Sequence, residues 1–216
     1  MTPQCTDRDL LALETILFLG AGGTQQLTGG ANGQLSGTTF TAAGADFPEA
    51  GIQPGMVLTT YDPARGPAEG RACEIVAVRA ATQLDVSVLR AAADAPSVAP
   101  YPGGTHFLIR TYQPQIQAVH DALMERLMRA RAADRANVGS FLPSPQLRQA
   151  LACGTLAAVF VSRAQDGTAA DANWLKAEHY RREFERLSSS LQLTPESSDG
   201  LGGGVVAMGN VTLRRV

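Results

Sequence analysis

The side chains best suited to chemistry are few and far apart in this chain. Its histidines, His106, His120 and His179, stand alone, and only His179 has a carboxylate one helical turn away, at Glu183. A metal site on a helix needs a further ligand, such as the second histidine of an HExxH motif, and the sequence places none beside this pair. A solvated, charged helix face is the simpler interpretation.

The nucleophilic residues lack neighbours that would activate them. Cys5, Cys73 and Cys153 are odd in number and form no CxxC pair, and no serine lies in a GxSxG turn. The stretch 20–23 (GAGG) matches a dinucleotide-binding loop only in part, because Gln25 occupies the third glycine position of that motif. We therefore predict a protein that is not an enzyme, binds no metal or cofactor, and keeps its cysteines reduced.

Four arginines cluster near the end of a predicted helix, at Arg126, Arg129, Arg131 and Arg135. The simpler interpretation is that cations stabilise the C-terminal end of a helix, where the helix dipole is negative. The alternative is a positive surface that faces the acids of a partner, or passing DNA, when many copies assemble. The sequence leaves both interpretations open.

Composition restricts the classes of protein to which these residues can belong. The chain has 216 residues, 44% of them hydrophobic and 18% charged, with a formal net charge of −2. This suits one large domain or two small ones, and the near-neutral charge disfavours a protein that coats nucleic acid. The start of the chain has no basic segment, and its apolar run is short and interrupted by Glu14, so we expect neither a signal peptide nor a membrane anchor there. No later stretch predicts a membrane span.

Three sequence patterns follow one another along the chain. Residues 6–19 have helical periodicity with Thr6 as N-cap, and residues 113–193 contain further helices, one of which begins at Ser144 and Pro145. Between them, short β-branched segments predict strands at 34–41, 56–61, 71–79, 83–88 and 105–112, with Gly55 in a turn that needs positive φ. In the strand at 71–79 both faces carry apolar residues, which is typical of a small closed barrel.

These patterns predict an α+β fold with an insertion. Residues 1–22 and 113–193 are expected to form a small four-helix bundle, and residues 23–112 an inserted small β-barrel module. Residues 194–216 are expected to form an extended, flexible C-terminal arm, because their composition is rich in glycine and serine. The net charges of the two regions also differ: residues 21–112 hold 7 acids and 5 bases, whereas residues 113–193 hold 8 acids and 10 bases.

Several phrases of the sequence, taken together, resemble a known family. Residues 37–47 (GTTFTAAGADF), 51–56 (GIQPGM), 74–78 (EIVAV) and 82–86 (TQLDV) resemble a β-module that recurs in structural proteins of tailed bacteriophages. With the helix around 173–185 (NWLKAEHYRREFE) and the glycine-rich arm, the chain is similar to head-to-tail adaptor, or connector, proteins of long-tailed phages and gene transfer agents. The resemblance covers most of residues 6–193.

The resemblance implies a structural role in the virion neck. Such adaptors form a ring, here of about twelve copies, that joins the capsid portal to the stopper or tail and continues the DNA channel without reading the DNA sequence. The portal protein and a stopper or tail-completion protein are the implied partners, and a collar or fibre protein is a candidate partner of the β-module. The implied location is the virion neck, after synthesis in the host cytoplasm.

The family also implies that the C-terminal arm reaches the portal. An extended arm can add a strand to a sheet of the partner, and its basic end can pair with acids. Transferred to this chain, the role falls on Val205, Val206, Val211, Leu213, Arg214 and Arg215. Trp174 or Tyr180 is a candidate anchor for a partner, but their positions on the apolar stripe of the helix favour the core.

Two other classes stay open. Another virion component, such as a stopper, tail terminator or baseplate protein, would use the same β-module but would not need a four-helix bundle. A virion-associated cell-wall hydrolase would need a polar cleft with convergent acids or a metal.

Overall fold

The computed structural model describes residues 3–19, 25–101, 104–130, 143–165, 171–193 and 206–207, without the side chains of 128–130, 192–193 and 206–207. The chain divides into two compact units. The sheet unit comprises residues 6–113, and the helical unit comprises residues 1–5 and 114–216. The sheet unit holds 10 acidic and 6 basic residues, whereas the helical unit holds 10 acidic and 12 basic residues. The two units therefore carry net charges of opposite sign.

The sheet unit is built on one seven-stranded antiparallel sheet with the strand order β1-β7-β4-β5-β6-β3-β2. The strands are β1 (Gln25–Gly30), β2 (Gly33–Ser36), β3 (Thr39–Ala42), β4 (Val57–Tyr61), β5 (Arg71–Ala80), β6 (Gln83–Ser87) and β7 (His106–Thr111). A short 3₁₀ helix, Pro67–Glu69, precedes β5. Strands β4 to β7 lie where the sequence predicts strands. The predicted strand at 34–41 is instead the hairpin of β2 and β3, because Gly37 turns the chain with a φ of 59°.

An apolar core built around three phenylalanines lies within the sheet unit. Phe40, Phe47 and Phe107 pack against one another, with ring centroids 5.2–6.3 Å apart. They are joined by side chains from most of the strands and from the long turn before β4, namely Ala42, Ile52, Met56, Leu58, Cys73, Ile75, Leu84, Val86 and Ile109. Burial of this set accounts for the alternating pattern in β5, where Cys73 and Ile75 both face the core.

The prediction of a closed β-barrel is wrong, because the sheet is open. Its two edge strands, β1 and β2, are consecutive in the chain, and each pairs with a single strand: β1 with β7, and β2 with β3. One backbone hydrogen bond, from Gly33 N to Thr105 O at 2.7 Å, links β2 to the residue before β7. It does not extend into a strand ladder between the described residues, and closure of a barrel needs such a ladder.

The prediction of a four-helix bundle is also wrong, because the first helix belongs to the sheet unit. Helix α1 (Asp7–Leu13) begins as predicted, with Thr6 N donating to Asp9 Oδ2 at 2.8 Å in a capping box. It ends at Leu13, earlier than expected. Its first residue is fixed to the end of β7, since Asp7 Oδ1 accepts a hydrogen bond from Tyr112 N at 2.7 Å. This contact over more than a hundred residues was not visible in the local sequence pattern.

The helical unit contains three described helices: α2 (Gln113–Ala130), α3 (Pro145–Arg163) and α4 (Ala172–Ser189). Helix α3 begins as predicted, with Ser144 Oγ accepting from Leu147 N at 3.3 Å. Two short strands, β8 (Gln192–Leu193) and β9 (Val206–Ala207), pair antiparallel after α4. None of the described helices is long and apolar enough to span a membrane.

A glycine in the middle of α3 permits close packing of the three helices. A Cβ atom added at Gly154 would lie 2.7 Å from Cγ1 of Val119 on α2 and 3.0 Å from the ring of Phe184 on α4. Glycine is otherwise unfavourable inside a helix by about 1 kcal/mol relative to alanine. Its presence here follows from the space that the neighbouring helices leave.

Candidate functional site

The outward side of α4 carries charged and apolar side chains together. The helix is fixed at its start by Asp171, whose Oδ1 accepts hydrogen bonds from the backbone N atoms of Asn173 and Trp174. Its inward side buries Ala177, Tyr180 and Leu187. Tyr180 stacks on Phe160 of α3, with centroids 5.9 Å apart and planes 9° apart, so the prediction that it belongs to the core is confirmed.

A depression of about 490 Å³ lies on the opposite side of the same helix. We call its lining the α4 surface; among the described residues it consists of Trp174, Leu175, Glu178, His179, Arg181 and Arg182. Trp174, predicted to be a core residue, is only half-buried and belongs to this lining. The local signal for this surface was present in the sequence, because residues 174, 178 and 182 recur at the spacing of one helical face.

Charge and apolar area coincide on the α4 surface. Leu175 is 53% exposed. Arg181 pairs with Glu178 at 2.8 Å, whereas Arg182 is exposed and forms no ion pair within the described part of the chain. Tryptophan and arginine are the residues that most often dominate binding energy at protein interfaces. The chemistry of this surface therefore suits a partner that is partly apolar and acidic.

The predicted arginine cluster cannot be assembled from the described residues. Arg126 is exposed on α2. Arg129 belongs to the same helix, but its side chain is outside the described residues, and so are Arg131 and Arg135 altogether. A common surface for these four arginines stays a prediction.

Most of the predicted portal-binding arm also lies outside the described residues, namely Val205, Val211, Leu213, Arg214 and Arg215. The backbone of Val206 is described, in β9, and it pairs with Leu193 of β8 in the same chain. An extended conformation therefore holds at Val206, while contact with a portal stays a prediction.

The histidines and cysteines take different environments. His120 is buried, and its Nδ1 lies 3.2 Å from Asp121 Oδ1, which lowers the pKa of that exposed carboxyl group. Burial raises the pKa of the Cys73 thiol to about 12 and of the Cys153 thiol to about 11. These two thiols stay protonated near neutral pH, which is the behaviour of buried structural cysteines. No group of three or more potential metal ligands occurs among the residues that the structure describes.

The sheet unit contains a buried ion-pair network that the sequence patterns did not predict. Glu74 on β5 is fully buried, and its two carboxylate oxygens accept hydrogen bonds from the Nε atoms of Arg8 and Arg90. Arg90 Nη1 donates in turn to Ala95 O at 3.0 Å. The network joins α1, β5 and the segment after β6. A glutamate in a strand with two apolar faces is the signal that could have revealed a buried cationic partner.

A second buried acid joins the two ends of the sheet unit. Asp7 accepts from Tyr112 N through Oδ1 and from Thr111 Oγ1 through Oδ2, both at 2.7 Å. Burial raises its pKa from 3.8 to about 6, although both hydrogen bonds act in the opposite direction. The first helix and the last strand of the sheet unit are thereby fixed to each other.

Comparison with known proteins returned no relative: no protein-family model, no curated protein and no solved structure matches the chain. The functional interpretation therefore depends on the residues and the geometry described above.

Proposed function

We propose that this chain is a structural component of a bacteriophage neck, an adaptor that forms a ring between the capsid portal and the stopper or tail. The sequence phrases of the β-module, the helices that follow it and the glycine-rich C-terminal region support the proposal, because they occur here in the order found in such adaptors. The ring continues the DNA channel, and its contacts with DNA do not depend on sequence.

The observation that carries the proposal is the way the sheet unit interrupts the helical unit. Residues 1–5 group with residues 114–216, so the sheet unit lies between two parts of the helical unit, although no helix or strand is described in the first part. The first and last residues of an insertion must be adjacent if the host unit is to remain intact. Asp7 meets this requirement, because it binds the backbone of Tyr112 directly. An adaptor that carries an additional β-module has this organisation.

In this proposal the helical unit forms the wall of the ring, and the C-terminal arm binds the portal. The test is electron microscopy of the purified protein mixed with portal rings from the same phage. We expect an additional ring stacked on the portal. A chain that ends at Pro195 lacks the arm, and we expect it to lose docking; if the truncated chain docks as well as the full chain, the role of the arm is refuted. If the full chain fails to dock at all, the adaptor function is refuted.

A second candidate function is a stopper or tail-terminator protein. The observation in its favour is that α1 belongs to the sheet unit, which leaves three described helices rather than four in the helical unit. The same microscopy separates the two candidates when tail tubes are offered beside portal rings. Rings that bind only the tubes would favour the second candidate.

A further inference from the structure

The α4 surface is a basic face without a described partner. Apolar side chains of α4 that point inward pack on α3, whereas Leu175 and Arg182 are exposed in the depression. The helical unit as a whole carries two more basic than acidic residues. An occupant of this surface should therefore offer carboxylates beside a small apolar area.

The sheet unit of the same protein offers such a group on a rigid turn between β3 and β4. Asp46 and Glu49 are exposed there, beside exposed Pro48, and neither acid forms an ion pair within the described residues. The turn is held in place because Phe47 is completely buried and its N donates to Ala81 O at 2.8 Å. Asp46 Oδ1 also accepts from Glu49 N at 3.1 Å.

Most other charged side chains of the sheet unit already form ion pairs or hydrogen bonds within the described residues. Asp85 pairs with Arg79 at 2.5 Å, and Glu69 lies 3.8 Å from Arg65. Glu74 is buried with its two arginines. We call residues 46–49 the acidic turn. Among the described residues, its two carboxylates are the pair nearest to each other in sequence that can still bind an external cation.

We propose that the α4 surface of one copy binds the acidic turn of a second copy, with Arg182 facing Glu49 and Leu175 facing Pro48. The opposite net charges of the two units favour this pairing over contact between like units. The two surfaces differ, so the contact is head-to-tail, and repeated contacts of this kind close into a ring when the rotation between copies permits. The self-contact does not depend on the proposed function. Only the assignment of the ring to a phage neck rests on the proposed function.

Charge reversal tests the contact. The variants are R182E, E49R and the double variant R182E/E49R. R186E and D94R are controls that reverse exposed charges outside the two surfaces; R186E also breaks the ion pair of Arg186 with Glu183. Sedimentation velocity over a range of concentrations at low salt measures self-association, and circular dichroism verifies that each variant is folded. We expect each single reversal to weaken association about tenfold or more, and the double variant to restore it.

The controls should associate as the wild type does, and added salt should weaken wild-type association because it screens exposed charges. The proposal is overturned if the wild type stays monomeric at every concentration, if R182E associates normally, or if the double variant does not recover. These outcomes differ from failure of the proposed function. A wild type that is monomeric yet docks on portal rings refutes only the self-contact, and one that associates through Arg182 yet ignores portal rings refutes only the adaptor role.

Discussion

Replacing Asp7 by asparagine should change how the stability of the sheet unit depends on pH. Asp7 is completely buried, and burial raises the pKa of its carboxyl group from 3.8 to about 6. The folded chain therefore holds this proton more tightly than the unfolded chain does. Unfolding releases the proton between these two pH values, so the free energy of unfolding falls as pH rises from about 4 to about 6.

The size of the effect follows from the displacement of the pKa. At about 1.4 kcal/mol per pH unit, the change from 3.8 to about 6 corresponds to about 3 kcal/mol. The D7N variant keeps a side chain of the same shape that can accept from Tyr112 N, but it has no proton to release. We therefore expect the wild type to lose about 2.5 kcal/mol relative to D7N between pH 4 and pH 7, because the remainder is lost below pH 4.

Urea unfolding followed by far-ultraviolet circular dichroism at pH 4, 5, 6 and 7 measures this difference. Fluorescence is a poor probe, because the only tryptophan, Trp174, lies in the helical unit. The other acids affect both proteins alike and cancel in the comparison. In T111V the hydroxyl group that lowers the pKa of Asp7 is absent, so the upper end of the change should move above pH 6. A difference between wild type and D7N that is constant with pH would refute the reasoning.

Three further substitutions test the packing. G154A should destabilise the helical unit by about 1–2 kcal/mol, because overpacking exceeds the gain in helix propensity. Adding V119A removes the closer of the two clashes and should recover part of this loss, as thermal melting can show. G55A should lower the free energy of unfolding by about 1–3 kcal/mol, since Gly55 has a φ of 88° and a Cβ there would lie 3.1 Å from the N-cap threonine of α1. G51A is the control: Gly51 has a φ of 71° but open space around it, so the loss measured by urea titration should be smaller. E74Q should lower the free energy of unfolding by about 3–5 kcal/mol, because two largely buried guanidinium groups lose their counter-charge. A free energy of unfolding at neutral pH that differs from the wild-type value by less than about 1 kcal/mol would contradict this.

Features that depend on a few adjacent residues were predictable from the sequence. The start of α3 needs only a serine that accepts a backbone hydrogen bond and a proline in the first turn, and both are adjacent in the chain. The positive φ of Gly55 was predicted from the Pro-Gly turn before β4, and the structure confirms it. The charged face of α4 followed from helical periodicity in the same way, although the depression beside Trp174 did not.

Features that depend on distant residues were decided by the tertiary structure. Whether a set of strands closes into a barrel depends on which edges meet, and the apolar faces of β5 are compatible with an open sheet as well as with a closed one. The packing partner of α1 was likewise not determined by its sequence, because its apolar stripe can pack on helices or on a sheet. Its position is fixed by Asp7, whose partners lie at the other end of the sheet unit. The sequence by itself determined where α1 and α3 begin and where the turn before β4 lies, because those rules act over a few residues. Burial of charges and pairing across the fold decided which elements pack together.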